Sequence, residues 1–358
     1  MSLFRFNKGL GIAQHVKAFL KRSDGDFAHE AAADACQREE RAGDQRRPRR
    51  ATSEQSNRLK SKKQELRRKG RELRRIRNET RAAKDDAERI EHKKRKKTVQ
   101  QDIFQLSREL RAAEEELAGE SQTGALPDFV IIGTAKGGTT SLYHLLTRHP
   151  HVEPAAAKEL HFFDNHFSEG IQWYRRCFPT PRLREGKWTI TGEATPCLGH
   201  PDVPERMAKV LPQARLIVML RNPVDRAYSM YHHRVRNGHE TRTFEEVVEA
   251  DLNDGSVGLL SRSIYVDHLV RWSEFFSEEQ LLVLKSEDLF ERPLQTLKVV
   301  LDFLDLPDWE PEVSKLTGNK RNEGRYEEMN PSTRRKLEEY FEPHNQRLYE
   351  FLGVDFGW

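Results

Sequence analysis

Cysteine is scarce in this chain, with only Cys36, Cys177 and Cys197 among 358 residues. A disulfide-stapled secreted scaffold is therefore excluded, and the count suits a reducing compartment. Whether Cys177 and Cys197 pair is a question of geometry that spacing leaves open. No apolar run reaches the eighteen or so residues that span a bilayer. The opening residues interleave Leu3, Phe4 and Phe6 with Lys8, Gln14, His15 and Lys17, a pattern too broken for a signal peptide. It suits a short amphipathic helix lying on an anionic membrane surface. No cluster of His, Cys and Asp has the spacing of a metal site, so metal-independent chemistry is expected. Proline is missing from residues 54 to 119, which removes the strongest helix breaker from that stretch.

Charge divides the chain into two pieces. Residues 1 to 100 hold 30 Lys/Arg against 15 Asp/Glu, while residues 101 to 358 hold 31 against 42. Within the basic piece, Leu59, Leu66 and Leu73 recur every seven residues, Ile76 and Ile90 offer a companion seam, and Val99, Ile103, Leu106, Leu110, Ala113 and Leu117 keep spacings of three and four. This periodicity predicts a long charged helix or coiled coil over 57–120, interrupted near Lys93–Lys97, following a flexible segment over 1–56. Two readings stay open: a homodimerising coiled coil, and a single solvated helix held by i,i+4 pairs. Basic clusters also attract nucleic acid, yet residues 57 to 97 contain no Phe, Tyr or Trp to stack on bases, so an anionic membrane or acidic glycan fits better.

From residue 127 the pattern changes to alternating strands and helices. Strands are predicted near 129–133, 188–193, 215–220 and 281–285, with helices near 139–148, 203–210, 223–236, 244–251, 263–276, 293–304 and 331–351. That order implies an α/β fold, a P-loop-like parallel sheet flanked by helices. The segment Phe129-Val-Ile-Ile-Gly-Thr-Ala-Lys-Gly-Gly-Thr-Thr-Ser141 places a buried strand, a glycine turn and a helix start in succession. Gly133, Gly137 and Gly138 allow backbone N–H groups to converge on an anion that also faces the positive end of the helix. A nucleotide triphosphate loop would place lysine after the second motif glycine. Here Thr139 stands there and the lysine comes early, at Lys136, which suits a shorter anion whose terminal group is transferred. A second strand, Arg215–Leu220, runs into Arg221-Asn-Pro, with Asn222 at a helix cap and Pro223 in its first turn. Arg221 thus stands at the carboxyl end of a parallel strand, where a guanidinium can grip a phosphate, and Ser229 lies two helical turns on.

Together these blocks resemble the sulfotransferases that use 3′-phosphoadenosine 5′-phosphosulfate (PAPS), close to the glycosaminoglycan N- and 3-O-sulfotransferases and their bacterial relatives. The resemblance covers about residues 127 to 358. It implies that Lys136, Gly137, Gly138, Thr139, Thr140 and Ser141 hold the 5′-phosphosulfate, that Arg221 and Ser229 hold the 3′-phosphate, and that Gly324, Arg325 and Tyr326 close over the nucleotide. Lys158-Glu-Leu-His-Phe-Phe-Asp164 resembles the catalytic segment, which makes Glu159 the candidate general base, with Lys136 on the leaving oxygen and His161 beside the acceptor; Asp164 has a weaker claim. The expected acceptor is a glycan, glycolipid or small hydroxylated molecule. Two departures weaken a heavily sulfated acceptor: the family's basic residue after the loop threonine reads Thr140, and the lysine of its Glu-Lys-Thr-Pro motif reads Ala194. Animal relatives carry an N-terminal anchor, and the lack of an apolar anchor here leads to the expectation of a cytoplasmic bacterial enzyme. The competing readings are a P-loop kinase that needs ATP and magnesium, and a coiled-coil scaffold or nucleic-acid-binding protein with an inactive domain.

Overall fold

The computed structural model describes residues 53–82, ten separate helical positions between 88 and 109, and residues 124–311 and 327–358. Gly324, Arg325 and Tyr326, proposed above to close over the nucleotide, lie outside the described residues, as do the amphipathic opening and the rest of residues 1–52 of the flexible segment expected over 1–56, whose last residues, 53–56, are helical instead.

The first described helix, α1 (Ser53–Ala82), does not stand alone. Lys62 pairs with Glu109, Lys69 Nζ lies 2.6 Å from Asp102 Oδ2, and Arg95 approaches Glu72 and Glu79 at 3.9 and 3.7 Å. Partners of Lys62 and Lys69 descend in sequence as their own positions rise, and both steps are seven residues, so two helical segments run antiparallel in a heptad register. Ile76 and Val99 are buried between them with Leu66 against the pair. Lys94 and Arg95, inside the expected interruption, are helical. The seam is closed within one chain, which sequence spacing alone does not distinguish from pairing between chains.

The catalytic region is built on a five-stranded sheet, all parallel. Its strands are β1 (Phe129–Gly133), β2 (Val152–Pro154), β5 (Ile190–Ala194), β6 (Arg215–Leu220) and β7 (Leu281–Lys285), in the order β2-β5-β1-β6-β7. A separate two-residue hairpin pairs β3 (Leu183–Arg184) with β4 (Lys187–Trp188). The near-continuous apolar runs of β1 and β6 reflect burial on both faces. Alternate residues feed two cores: Val130, Ile132, Leu216, Val218 and Leu220 pack with Tyr174, Trp272 and Leu348, whereas Phe129, Ile131, Ile217 and Met219 pack with Leu142, Leu146 and Val300. Helices over 139–146, 203–210, 223–236, 244–254, 265–273, 293–303 and 331–352 agree with the sequence pattern. The periodicity gave no warning of β2, of the helix over 170–176 or of the one over 286–291, all too short to display a period.

The strand order puts β1 at the centre of the sheet, with β5 and β6 on opposite sides. Loops leaving the carboxyl ends of these three strands therefore meet over one crevice, the place where open α/β sheets bind ligands. The helix α2 (Thr139–Leu146) leaves from β1, and α3 (Pro223–Arg236) leaves from β6. The latter starts sharply because Asn222 Oδ1 accepts from the Val224 and Asp225 amides at 3.0 and 3.3 Å, and Pro223 presets the first turn. Asn222→Ala removes this cap, and the expected loss is about 1 kcal/mol of folding stability, read as a lower urea midpoint with an unchanged slope.

Candidate active site

Thr134 fastens the loop after β1 to the neighbouring strand. Its amide donates to Met219 O at 2.7 Å, and its hydroxyl donates to the same oxygen at 3.2 Å. The turn then closes through Gly137 N to Thr134 O at 2.9 Å. A Cβ at Gly137 would lie 2.6 Å from Met219 O, so no other residue fits. Lys136 and Gly138 both adopt left-handed backbone, φ 73° and 88°. Such a turn aims successive N–H groups at one point. Helix α2 begins there with no side-chain cap and no acidic residue in its first turn, leaving its positive end open to an anion.

Positive charge collects around this cradle. Burial lowers the Lys136 ammonium below its usual range, with Arg236 and Arg221 adding to the effect and Glu159 opposing it. Arg221 Nη1 reaches Lys136 O at 3.5 Å, while the Arg221 carbonyl accepts from Tyr265 Oη at 2.8 Å and Asn222 N donates to Glu287 Oε1 at 3.0 Å. Ser229 is buried along the same helix, and Thr139 is buried at the start of α2, with Thr140 and Ser141 partly exposed beside it. A bisanionic nucleotide placed here would restore Lys136 toward its ordinary protonation and complete hydrogen bonds that the loop holds open.

The segment Lys158–Asp164 forms the opposing wall. Glu159 and His161 both have left-handed backbone, φ 62° and 51°, an unfavourable state for residues with side chains that persists only under external constraint. The Glu159 carboxylate is 42% exposed and pairs with Lys158 Nζ. His161 Nδ1 lies 2.7 Å from Asp164 Oδ2, with Asp164 nearly buried. The hydrogen bond to Asp164 raises the imidazole above its ordinary value against the opposing effect of burial. For Asp164, burial works to raise the carboxyl, but the hydrogen bond and charge of His161 outweigh it and hold the group low. With Nδ1 donating to Asp164, the other ring nitrogen of His161 is left for the cleft.

A family model described as a sulfotransferase domain matches residues 126–334. The chain is 32% identical to human heparan sulfate glucosamine 3-O-sulfotransferase 5 over 283 residues, covering 69% of this chain and 78% of that one. It is 29% identical to the bifunctional heparan sulfate N-deacetylase/N-sulfotransferase 1 of Caenorhabditis elegans over 260 residues, 64% of this chain and 30% of that one. A sulfotransferase crystal structure from Alicyclobacillus acidocaldarius superposes with a TM-score of 0.55 at 29% identity, covering 65% of this chain and 98% of that one. The chain belongs to the sulfotransferase family. It is a PAPS-dependent enzyme, and the kinase and inactive-scaffold alternatives fall away.

Several features of this sulfotransferase escape sequence reading. Glu193 is buried and receives hydrogen bonds from Tyr174 Oη and, at 2.6 Å, from Thr195 Oγ1. Its motif drew notice for the residue that follows, yet Ala194 faces the opposite side of β5 and is wholly buried in the core under the sheet, presenting nothing to the cleft. His233, assigned no part from sequence, feels the charges of Lys136 and Glu159 and contacts Arg236 Nη2 at 3.1 Å. His200 Nε2 approaches Asp164 Oδ2 at 3.9 Å. Tyr174 stacks on Phe162 with ring centroids 4.3 Å apart and is fully buried in the core. Cys177 and Cys197 are buried free thiols. Among the described residues no group of His, Cys, Asp and Glu is arranged to hold a metal ion, and no helix is long and apolar enough to cross a membrane.

The raised His161 has a definite sign. Stabilisation from its pair with Asp164 is complete below the ordinary imidazole value of 6.5 and is lost as pH rises through the higher folded value. From the carboxylate side it is present above the ordinary value of 3.8 and fades as pH falls through the lower folded one. An NMR titration of His161 should therefore show a midpoint above 6.5 in the native enzyme, and Asp164→Asn should bring it down.

Proposed function

We propose that this enzyme transfers the sulfuryl group of PAPS to a hydroxyl or amine of a glycan acceptor, without a metal ion. The observation that carries the reading is the meeting of a half-buried Lys136, set in a left-handed anion cradle, with the Glu159 carboxylate across the crevice. In the reaction the acceptor lone pair forms a bond to sulfur as the bond from sulfur to the nucleotide's 5′-phosphate oxygen breaks. The acceptor proton passes to Glu159, and adenosine 3′,5′-bisphosphate leaves. Lys136 lies where charge grows on the leaving oxygen, and the open N–H groups of the loop share that charge. Arg221 and Ser229 take the 3′-phosphate, with the planar guanidinium suited to a two-point grip. His161, held by Asp164, presents its free ring nitrogen to the acceptor.

Relatives named for heparan sulfate support a glycan acceptor. Thr140 lacks the basic side chain expected after the loop threonine, but the Arg236 guanidinium brings positive charge near Lys136, which favours an acceptor bearing negative charge. The basic N-terminal piece and its helical pair suit a cytoplasmic enzyme that touches an anionic membrane peripherally. Radiolabelled sulfate supplied as PAPS should appear in a glycan fraction in the presence of chelator. Lys136→Ala and Glu159→Gln should each reduce transfer by about 10²-fold or more. Transfer that stops on chelation, or that survives both substitutions, contradicts the proposal.

A further inference from the structure

The buried carboxylate of Glu193 has no part in sulfuryl transfer as derived above, yet it sits directly beneath the catalytic segment. It is 1% exposed on the central part of β5, where it pairs in register with Val130 of β1. Three donors converge on it: Tyr174 Oη, Thr195 Oγ1 at 2.6 Å, and the backbone N–H of Leu160. Thr195 Oγ1 in turn accepts from the His161 amide at 3.3 Å. The amides of two successive residues, 160 and 161, are therefore tied to one carboxylate, one directly and one through a hydroxyl.

These two amides lie in the arch that carries the reacting groups. Glu159 on one side and His161 on the other are in left-handed backbone, an unfavourable state that surrounding contacts must over-determine. Burial of a carboxylate is itself unfavourable and is tolerated when several donors satisfy it. A carboxylate accepts on both oxygens, which is what three convergent donors need.

We infer that Glu193 is a positioning residue: through the Leu160 amide and Thr195 it holds the 159–161 arch so that Glu159 and His161 face the acceptor. This rests on the reading of Glu159 as base. An amide at 193 offers one accepting oxygen and turns an NH2 donor toward groups that are donors themselves; the hydroxyls can rotate, but the Leu160 N–H cannot. The arch loses its anchor while the nucleotide cradle, on the loops after β1 and β6, keeps its own ties to Met219 and Glu287.

The test compares Glu193→Gln, Thr195→Val and Thr195→Ser in the full chain, measuring kcat, KM for PAPS and calorimetric affinity for adenosine 3′,5′-bisphosphate. Displacing the arch by about 1 Å should lower kcat about 10²-fold in Glu193→Gln and Thr195→Val, with nucleotide affinity within about twofold of wild type, and Thr195→Ser should recover most of the rate. Full activity in Glu193→Gln overturns the inference. So does nucleotide affinity that falls in step with kcat, since that marks a general structural loss. If Glu193→Gln does not fold, the Thr195 pair decides alone, because equal rates in the valine and serine variants overturn the inference as well. Glu159→Gln is the reference: activity retained there removes the base assignment, whereas activity lost there but retained in Glu193→Gln removes only the anchor.

Discussion

The double hydrogen bond from Thr134 to Met219 O is the contact on which the site depends. It exists because β1 and β6 are parallel neighbours in the sheet, so that both strands end at the same edge. With Thr134 fastened, the chain must turn over Met219 at once, and the 2.6 Å approach at Gly137 leaves no room for a side chain. The left-handed turn at Lys136 and Gly138 follows, and with it the convergence of N–H groups at the start of α2. Two residues beyond Met219 the same strand delivers Arg221. One sheet register thus sets both proposed phosphate grips, and neither could shift without the other.

Electrostatics then divides the crevice. On the nucleotide side, Lys136, Arg221 and Arg236 repel one another in a partly desolvated setting, which costs stability in the free protein and favours a multiply charged anion. On the acceptor side, carboxylates and imidazoles dominate: Glu159 beside Lys158, and His161 bound to a buried Asp164. The proposed base is the most exposed of these groups and the supports behind it are buried, as expected when it must take a proton from an acceptor arriving from solvent while the arch stays fixed.

The backbone of the proposed nucleotide half was legible in sequence because it is local. Strand, glycine turn and helix follow one another within 129–146, and Arg221-Asn222-Pro223 announces its own strand end and cap. The acceptor half was legible only in part. Lys158–Asp164 carries the reactive types within a few residues, but the left-handed backbone that orients them is imposed by Glu193, Thr195 and Tyr174, which arrive from β5 and from a helix too short to show a period. Pairing of Lys62 with Glu109 was hidden for a related reason: heptad spacing marks a seam and says nothing about which chain closes it. In contrast, the alternation of buried residues along β1 and β6 appeared as an unbroken apolar run, which revealed burial on both faces but not the two cores.

Calorimetric titration of adenosine 3′,5′-bisphosphate into the metal-free enzyme tests the central claim most directly. A single site per chain is predicted, and affinity should fall about tenfold or more in Arg221→Ala, because a bidentate charge-assisted contact is lost. Absence of binding, binding that requires magnesium, or equal affinity in Arg221→Ala would contradict the account.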